Sequence, residues 1–114
     1  MLIAFSGHRN KLAKIPDLEN ILIQYPNSVW IHGGAIGFDS QIQAFAIMHG
    51  IKTEIIKPDY ETYYHKQAPL ERNKIIVNKC DLLICLFDGR KKGGTYFTLN
   101  FARKVGKTVF IINC

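Results

Sequence analysis

The sequence predicts one α/β domain: a three-layer α/β/α sandwich around a doubly wound, five-stranded parallel sheet. Five short apolar runs recur along the 114 residues, stretches of helix length separate most of them, and glycine or proline follows several. Near-continuous apolar runs of this length are how parallel strands covered on both faces read, because neither face meets water. Strand and helix patterns in alternation then imply parallel pairing with right-handed crossovers.

The elements follow in order. Leu2-Ile3-Ala4-Phe5 is the first run and ends at Ser6-Gly7. A helix opens at Pro16-Asp17-Leu18, keeps Leu18, Ile21, Leu22 and Tyr25 on one face, and stops at Pro26-Asn27. Val29 to His32 is the second run, ended by Gly33-Gly34, and a helix from Phe38 to His49 carries Ile42, Phe45, Ala46 and His49 along one side, with Gly50 as its cap. Thr53 to Ile56 is the third run, ended by Pro58. Segment 58–69 is polar, rich in Tyr and His, and reads as an ordered loop before a helix from Leu70 to Lys79 with Ile75, Ile76 and Lys79 at helical spacing. Leu82 to Phe87 is the fourth run, ended by Asp88-Gly89, and a helix from Tyr96 to Lys104 leads through Gly106 to the fifth, Thr108 to Ile112. The strand order expected of this alternation is Rossmann-like.

Composition narrows the class. A chain of this length is one domain and buries enough surface to fold without disulfides or metal. No apolar run approaches the ~20 residues that span a bilayer, and Met1-Leu2-Ile3-Ala4-Phe5 has no basic segment before its apolar stretch, so no signal peptide is expected. The expected location is the cytoplasm. Cys80, Cys85 and Cys114 form no CxxC motif; the first two read as small buried hydrophobes and no metal site is expected. Fifteen Lys+Arg against nine Asp+Glu give +6, which favours anionic partners from nucleotides to nucleic acid.

In open α/β sheets ligands bind beyond the carboxyl ends of the strands, at the switch in strand order. Those ends carry the unusual residues here: Ser6-Gly7-His8-Arg9, His32-Gly33-Gly34-Ala35-Ile36-Gly37-Phe38-Asp39, and Asp88-Gly89 leading to Gly93-Gly94-Thr95. Gly33, Gly34 and Gly37 precede one helix and Gly93, Gly94 and Thr95 precede another. Lacking Cβ atoms, such glycines let backbone N–H groups approach an anion at a helix N-terminus, and the Thr95 hydroxyl adds a donor. Neither loop is a Walker A or a GxGxxG, which argues against P-loop ATP hydrolysis and ordinary NAD binding. Asp39 is placed to bond a ribose hydroxyl or to cap its helix. Arg9 and Arg72 are candidate phosphate clamps, Arg72 beside Asn73, with a salt bridge to Glu71 or Asp59 as its alternative use. His8 reads as a structural histidine or an acid/base, and Arg90-Lys91-Lys92 as a basic turn abutting the second glycine loop.

Taken in order, Ser6-Gly7-His8-Arg9, Gly33-Gly34-Ala35-x-Gly37-x-Asp39, Pro58-Asp59-Tyr60, Ala68-x-x-x-Arg72-Asn73, Asp81, Phe87-x-Gly89 and Gly93-Gly94-Thr95 span almost the whole chain. This set resembles the YpsA/YspA-related branch of the SLOG superfamily, relatives of DprA and of the LOG (lysine-decarboxylase-like) proteins. The resemblance implies a Rossmann-like domain that senses or processes nucleotides and nucleotide-derived ligands, cyclic signalling nucleotides among them. It needs no further cofactor and is often a homo-oligomer, a dimer or tetramer. It also implies a pocket lined by Ser6, Gly7, Arg9, Gly34, Asp39, Arg72, Asn73, Gly94 and Thr95. Tyr60 stands where that branch has tryptophan and keeps an aromatic for base stacking. The catalytic glutamate of LOG enzymes is Thr98 here, which argues against phosphoribohydrolysis by that route.

Three functions compete at this point. A sensor or sequestering module for a phosphate-bearing nucleotide ligand needs glycine loops and cations but no catalytic base, and it ranks first. A hydrolase of an N-glycosidic or phosphate bond would draw on Asp39, Asp59, Glu71, Asp88 and His8. Single-stranded nucleic-acid binding, as in DprA, would use the charge and the Tyr60, Tyr63 and Tyr64 cluster. No membrane partner is expected.

Overall fold

The computed structural model describes all of residues 1–114. Strands β1 (Leu2–Gly7), β2 (Val29–His32), β3 (Thr53–Ile55), β4 (Leu82–Phe87) and β5 (Thr108–Asn113) form one parallel sheet in the order β3-β2-β1-β4-β5. Helices α1 (Ile15–Gln24), α2 (Phe38–Met48), α3 (Ala68–Lys79) and α4 (Gly94–Lys104) make the crossovers. The chain winds outward from β1 to β3, then returns past β1 to β4. The switch in strand order therefore falls between β1 and β4, and the crevice opens at their carboxyl ends. This is the three-layer α/β/α, Rossmann-like architecture the sequence predicts.

Alternate residues of the central strands feed two cores. Ile3, Phe5, Trp30, Ile84 and Leu86 pack with Leu18, Ile21, Phe38, Ile42 and Phe45 on the α1/α2 side. Ala4, Ile31, Leu83 and Cys85 pack with Ile76, Val77, Leu99 and Ala102 on the α3/α4 side. Both faces of β1 and β4 are thus covered, which is why their apolar runs do not alternate with polar residues. Burial pushes the Cys85 thiol up to about 12, so it stays a neutral hydrophobe. No helix is long and apolar enough to cross a membrane.

Several boundaries differ from the sequence reading, each for a physical reason. β1 continues through Ser6 and Gly7, which pair with Cys85 and Leu86, because the neighbouring β4 runs on beside them to Phe87. β3, at the sheet edge, is only three residues long. α3 starts at Ala68, and Pro69 occupies its first turn, where no N–H is needed. Its buried stripe is Ala68, Arg72 and Ile76, at spacings of four, while Ile75 faces outward. α4 begins at Gly94, ahead of Tyr96, and α2 ends at Met48 with His49 as its cap. Phe110 on the edge strand β5 is 58% exposed, on the face opposite the one whose Val109 and Ile111 pack against the α3/α4 core.

Candidate functional site

A cavity of about 610 Å³ lies at the carboxyl ends of the strands, over the β1/β4 switch. Ser6, Gly7, His8 and Arg9 form its floor; Gly33, Gly34, Ala35, Ile36 and Asp39 line one side; Pro58 and Tyr60 lie at another. Pro69, Leu70, Arg72 and Asn73 come from the start of α3, and Arg90, Gly93, Gly94 and Thr95 from the β4–α4 turn. Of the residues singled out in the sequence as ligand-binding, Gly37 alone is not in the wall.

The first glycine loop is closed by the protein's own groups. Asp39 Oδ2 accepts hydrogen bonds from the Gly33 and Ala35 amides at 3.2 and 3.1 Å. His32 Nδ1 accepts from the Gly34 amide at 3.0 Å, so the ring's Nε2–H donates to Gln43 Oε1 at 2.6 Å. The amides expected to meet an anion at Gly33 and Gly34 therefore have internal partners. Asp39 neither caps α2 nor pairs within hydrogen-bond reach of Arg72; it holds the loop shut and leaves Oδ1 without a protein partner. Burial raises the Asp39 pKa, against the opposing pull of the loop amides and of the neighbouring His32 and Arg72. Gly37 serves the backbone. Its φ is +93°, and a Cβ there would overlap the main chain of Arg9, so it sets how closely the floor approaches α2.

Arg72 is tied to backbone carbonyls. Nη1 donates to Gly33 O at 2.5 Å and, more weakly, to Ile56 O at 3.4 Å, while Nε donates to Asn73 Oδ1 at 2.8 Å. The salt bridges considered for it do not form: Glu71 pairs with Lys74 at 3.2 Å, and Asp59 Oδ1 accepts the Glu61 and Thr62 amides of its own turn. Burial lowers the Arg72 pKa, with Asp39 acting in the other direction. Asn73 has its amide donors left over, and Nδ2 lies 3.8 Å from where a Cβ on Gly94 would be. Arg9 is exposed, with no hydrogen bond or ion pair inside the protein.

The second glycine loop is open. The Gly94, Thr95 and Tyr96 amides at the start of α4 have no acceptor in the protein, and Gly93, the N-cap, makes no side-chain cap. The Thr98 hydroxyl donates back to Gly94 O at 2.8 Å, and Thr98 is buried beneath the loop, outside the cavity wall. Lys91 and Lys92 are exposed and outside it as well. Arg90 turns back onto Asp88, donating from Nε at 3.0 and 3.1 Å and from Nη2 at 2.5 Å. That contact holds the Asp88 carboxyl well below the usual range. His8 is buried, and burial together with Arg90 lowers its pKa; the neutral ring's Nε2 accepts the Asp88 amide at 3.2 Å. Tyr60 is 55% exposed at the rim, and its ring lies 5.9 Å from that of His65.

Two structural roles went unread in the sequence. His32 as the acceptor for Gly34 had only its place at the end of a strand as a signal. The Asp88–Arg90 pair, two residues apart in a turn, was legible as a spacing but not as a contact.

No family model matches the chain, and no curated protein matches it. Among solved structures, the crystal structure of TM1055, a structural genomics target, is similar to this chain with a TM-score of 0.66 at 18% identity. The alignment covers 95% of this chain and 71% of that one. At that identity the likeness carries the fold, a Rossmann-like α/β sheet, and nothing about a ligand.

Proposed function

We propose that the chain binds a nucleotide or nucleotide-derived phosphate ligand in this cavity and holds it without cleaving it, as a sensor or sequestering module of SLOG type. The observation that carries this reading is the set of three partnerless amides at the start of α4, with Gly94 and Thr95 in the wall of the same cavity as the free Arg9. A helix N-terminus with unsatisfied N–H groups favours an anion, and an unpaired guanidinium adds charge-assisted bonds. The first glycine loop, with its Gly33, Gly34 and Ala35 amides already used, takes the hydroxyl-bearing part of the ligand at Asp39 Oδ1. Tyr60 offers its ring to a base. In this reading the phosphate lies at α4 and the sugar toward α2.

Calorimetry against a panel of nucleoside mono-, di- and cyclic phosphates, with Arg9→Ala alongside, tests the reading. Binding of at least one member, weakened by Arg9→Ala, supports it; no binding at millimolar ligand removes it. Homo-oligomerisation belongs to the same proposal and is read by light scattering with and without ligand.

A hydrolase is the second reading, and the raised pKa of Asp39 at the cavity wall is what favours it. Asp59, Glu71 and Asp88 are engaged with their own turn, Lys74 and Arg90 and lie outside the wall, so a pair of carboxylates across a scissile bond is not assembled. Product release abolished by Asp39→Asn would support hydrolysis over binding alone.

A further inference from the structure

The turn between β4 and α4 brings His8 and Arg90 onto one carboxylate, that of Asp88. His8 Nε2 lies between two groups of Asp88: the backbone N–H at 3.2 Å and carboxylate Oδ1 at 3.1 Å. A neutral ring has the first as its partner and a protonated ring the second, so both states are provided for at one nitrogen. The same carboxylate is held by the Arg90 guanidinium through both oxygens, with the Arg90 amide also donating to Oδ1 at 3.1 Å. Arg90 lines the cavity, whereas Asp88 does not.

We propose that Asp88 arbitrates between His8 and Arg90: protonation of His8 gives Asp88 a second cation, releases Arg90 to the cavity, and raises the affinity of the site for a dianion. This regulation rests on the anion site proposed above. The charged groups facing His8 are Asp88 and Arg90 from the β4–α4 turn and Lys11 from the loop after β1, with the Cys114 thiol near Asp88 and Arg90 at the end of β5. Asp88 is the one anion among them, so an imidazolium at position 8 finds compensation there and nowhere else. Burial first, and then the Arg90 guanidinium while it stays on Asp88, oppose that proton and lower the His8 pKa. By reciprocity, a dianion that draws Arg90 away makes His8 take up a proton.

Sulfate is the probe, because its charge is fixed between about pH 5.5 and pH 7.5 whereas phosphate titrates in that range. Its affinity is read from the Gly94 and Thr95 amide resonances, and His8 protonation from its imidazole resonances. In the wild type, sulfate binds at least about fivefold more tightly at the lower pH, the small end of couplings between linked sites, and sulfate moves the His8 titration to higher pH. Asp88→Asn frees Arg90 at every pH, so binding is tight and the pH dependence flattens. Arg90→Gln leaves binding weak at both pH values. Retention of the wild-type slope in both variants overturns the proposal, as does a His8 titration that sulfate leaves in place while Gly94 and Thr95 shift. If those two amides stay still at every pH, the anion site itself fails, an outcome distinct from failure of the coupling.

Discussion

The guanidinium of Arg72 donates to the carbonyl of Gly33 across 39 positions of sequence, fastening the start of α3 to the loop that follows β2. The approach is so close that a Cβ on Gly33 would overlap the guanidinium. Gly33→Ala therefore displaces Arg72, and the loss of a hydrogen bond from a charged donor costs roughly 1.5–3 kcal/mol. Urea unfolding measures it. In an Arg72→Ala background the same substitution costs much less, because the two residues share one contact.

Asp39→Asn separates the loop-closing role of this residue from its charge. An amide oxygen accepts the Gly33 and Ala35 N–H groups as Oδ2 does, so the fold survives. Because the folded pKa of Asp39 is raised by burial, its contribution to stability is fully present below the unfolded value near 3.8 and is lost as pH rises through the folded pKa. The wild type thus gains stability relative to Asp39→Asn on acidification toward about pH 4. Unfolding midpoints of the two proteins across pH read the difference; a wild type that loses ground on acidification would contradict the burial of this carboxylate.

His8 has the opposite sign. Its folded pKa is lowered, so the unfolded chain binds its proton first, and stability falls as pH drops from about 6.5 through the folded value. His8→Gln keeps an acceptor for the Asp88 amide and removes the titration. The wild type then shows a loss of stability on mild acidification that the variant lacks.

Thr98 tests the reading that cleavage is absent. It is 1% exposed and sits under the second glycine loop. Thr98→Glu places an unpaired carboxylate in the core and destabilises the protein by roughly 3 kcal/mol or more. It confers no cleavage of nucleotides, measured by chromatography of the products, because position 98 lies behind the wall.

Much of this was legible in the sequence, and the exceptions share a cause. Local signals placed all five strands, and the glycine loops marked the carboxyl ends where the cavity forms. Arg72 could be nominated from its neighbour Asn73, but its burial follows from the stripe it shares with Ala68 and Ile76, which the apolar pattern at Ile75 obscured. Which glycine loop has free amides could not be read, because the acceptors for Gly33, Gly34 and Ala35 are side chains whose orientation depends on how α2 packs against β2. The exposure of Phe110 depends on which face of β5 packs against the helices, a property of the layers and not of the run.

The most direct test of the central claim is an amide-resolved NMR titration of the chain with a nucleoside 5′-monophosphate. A phosphate held at α4 gives saturable shifts concentrated at Gly94, Thr95 and Tyr96, with the Gly33 and Gly34 amides still protected by their internal partners. Arg9→Ala then weakens binding about tenfold, the loss of one charge-assisted contact. Shifts that bypass the start of α4, or affinity that Arg9→Ala leaves unchanged, would contradict it.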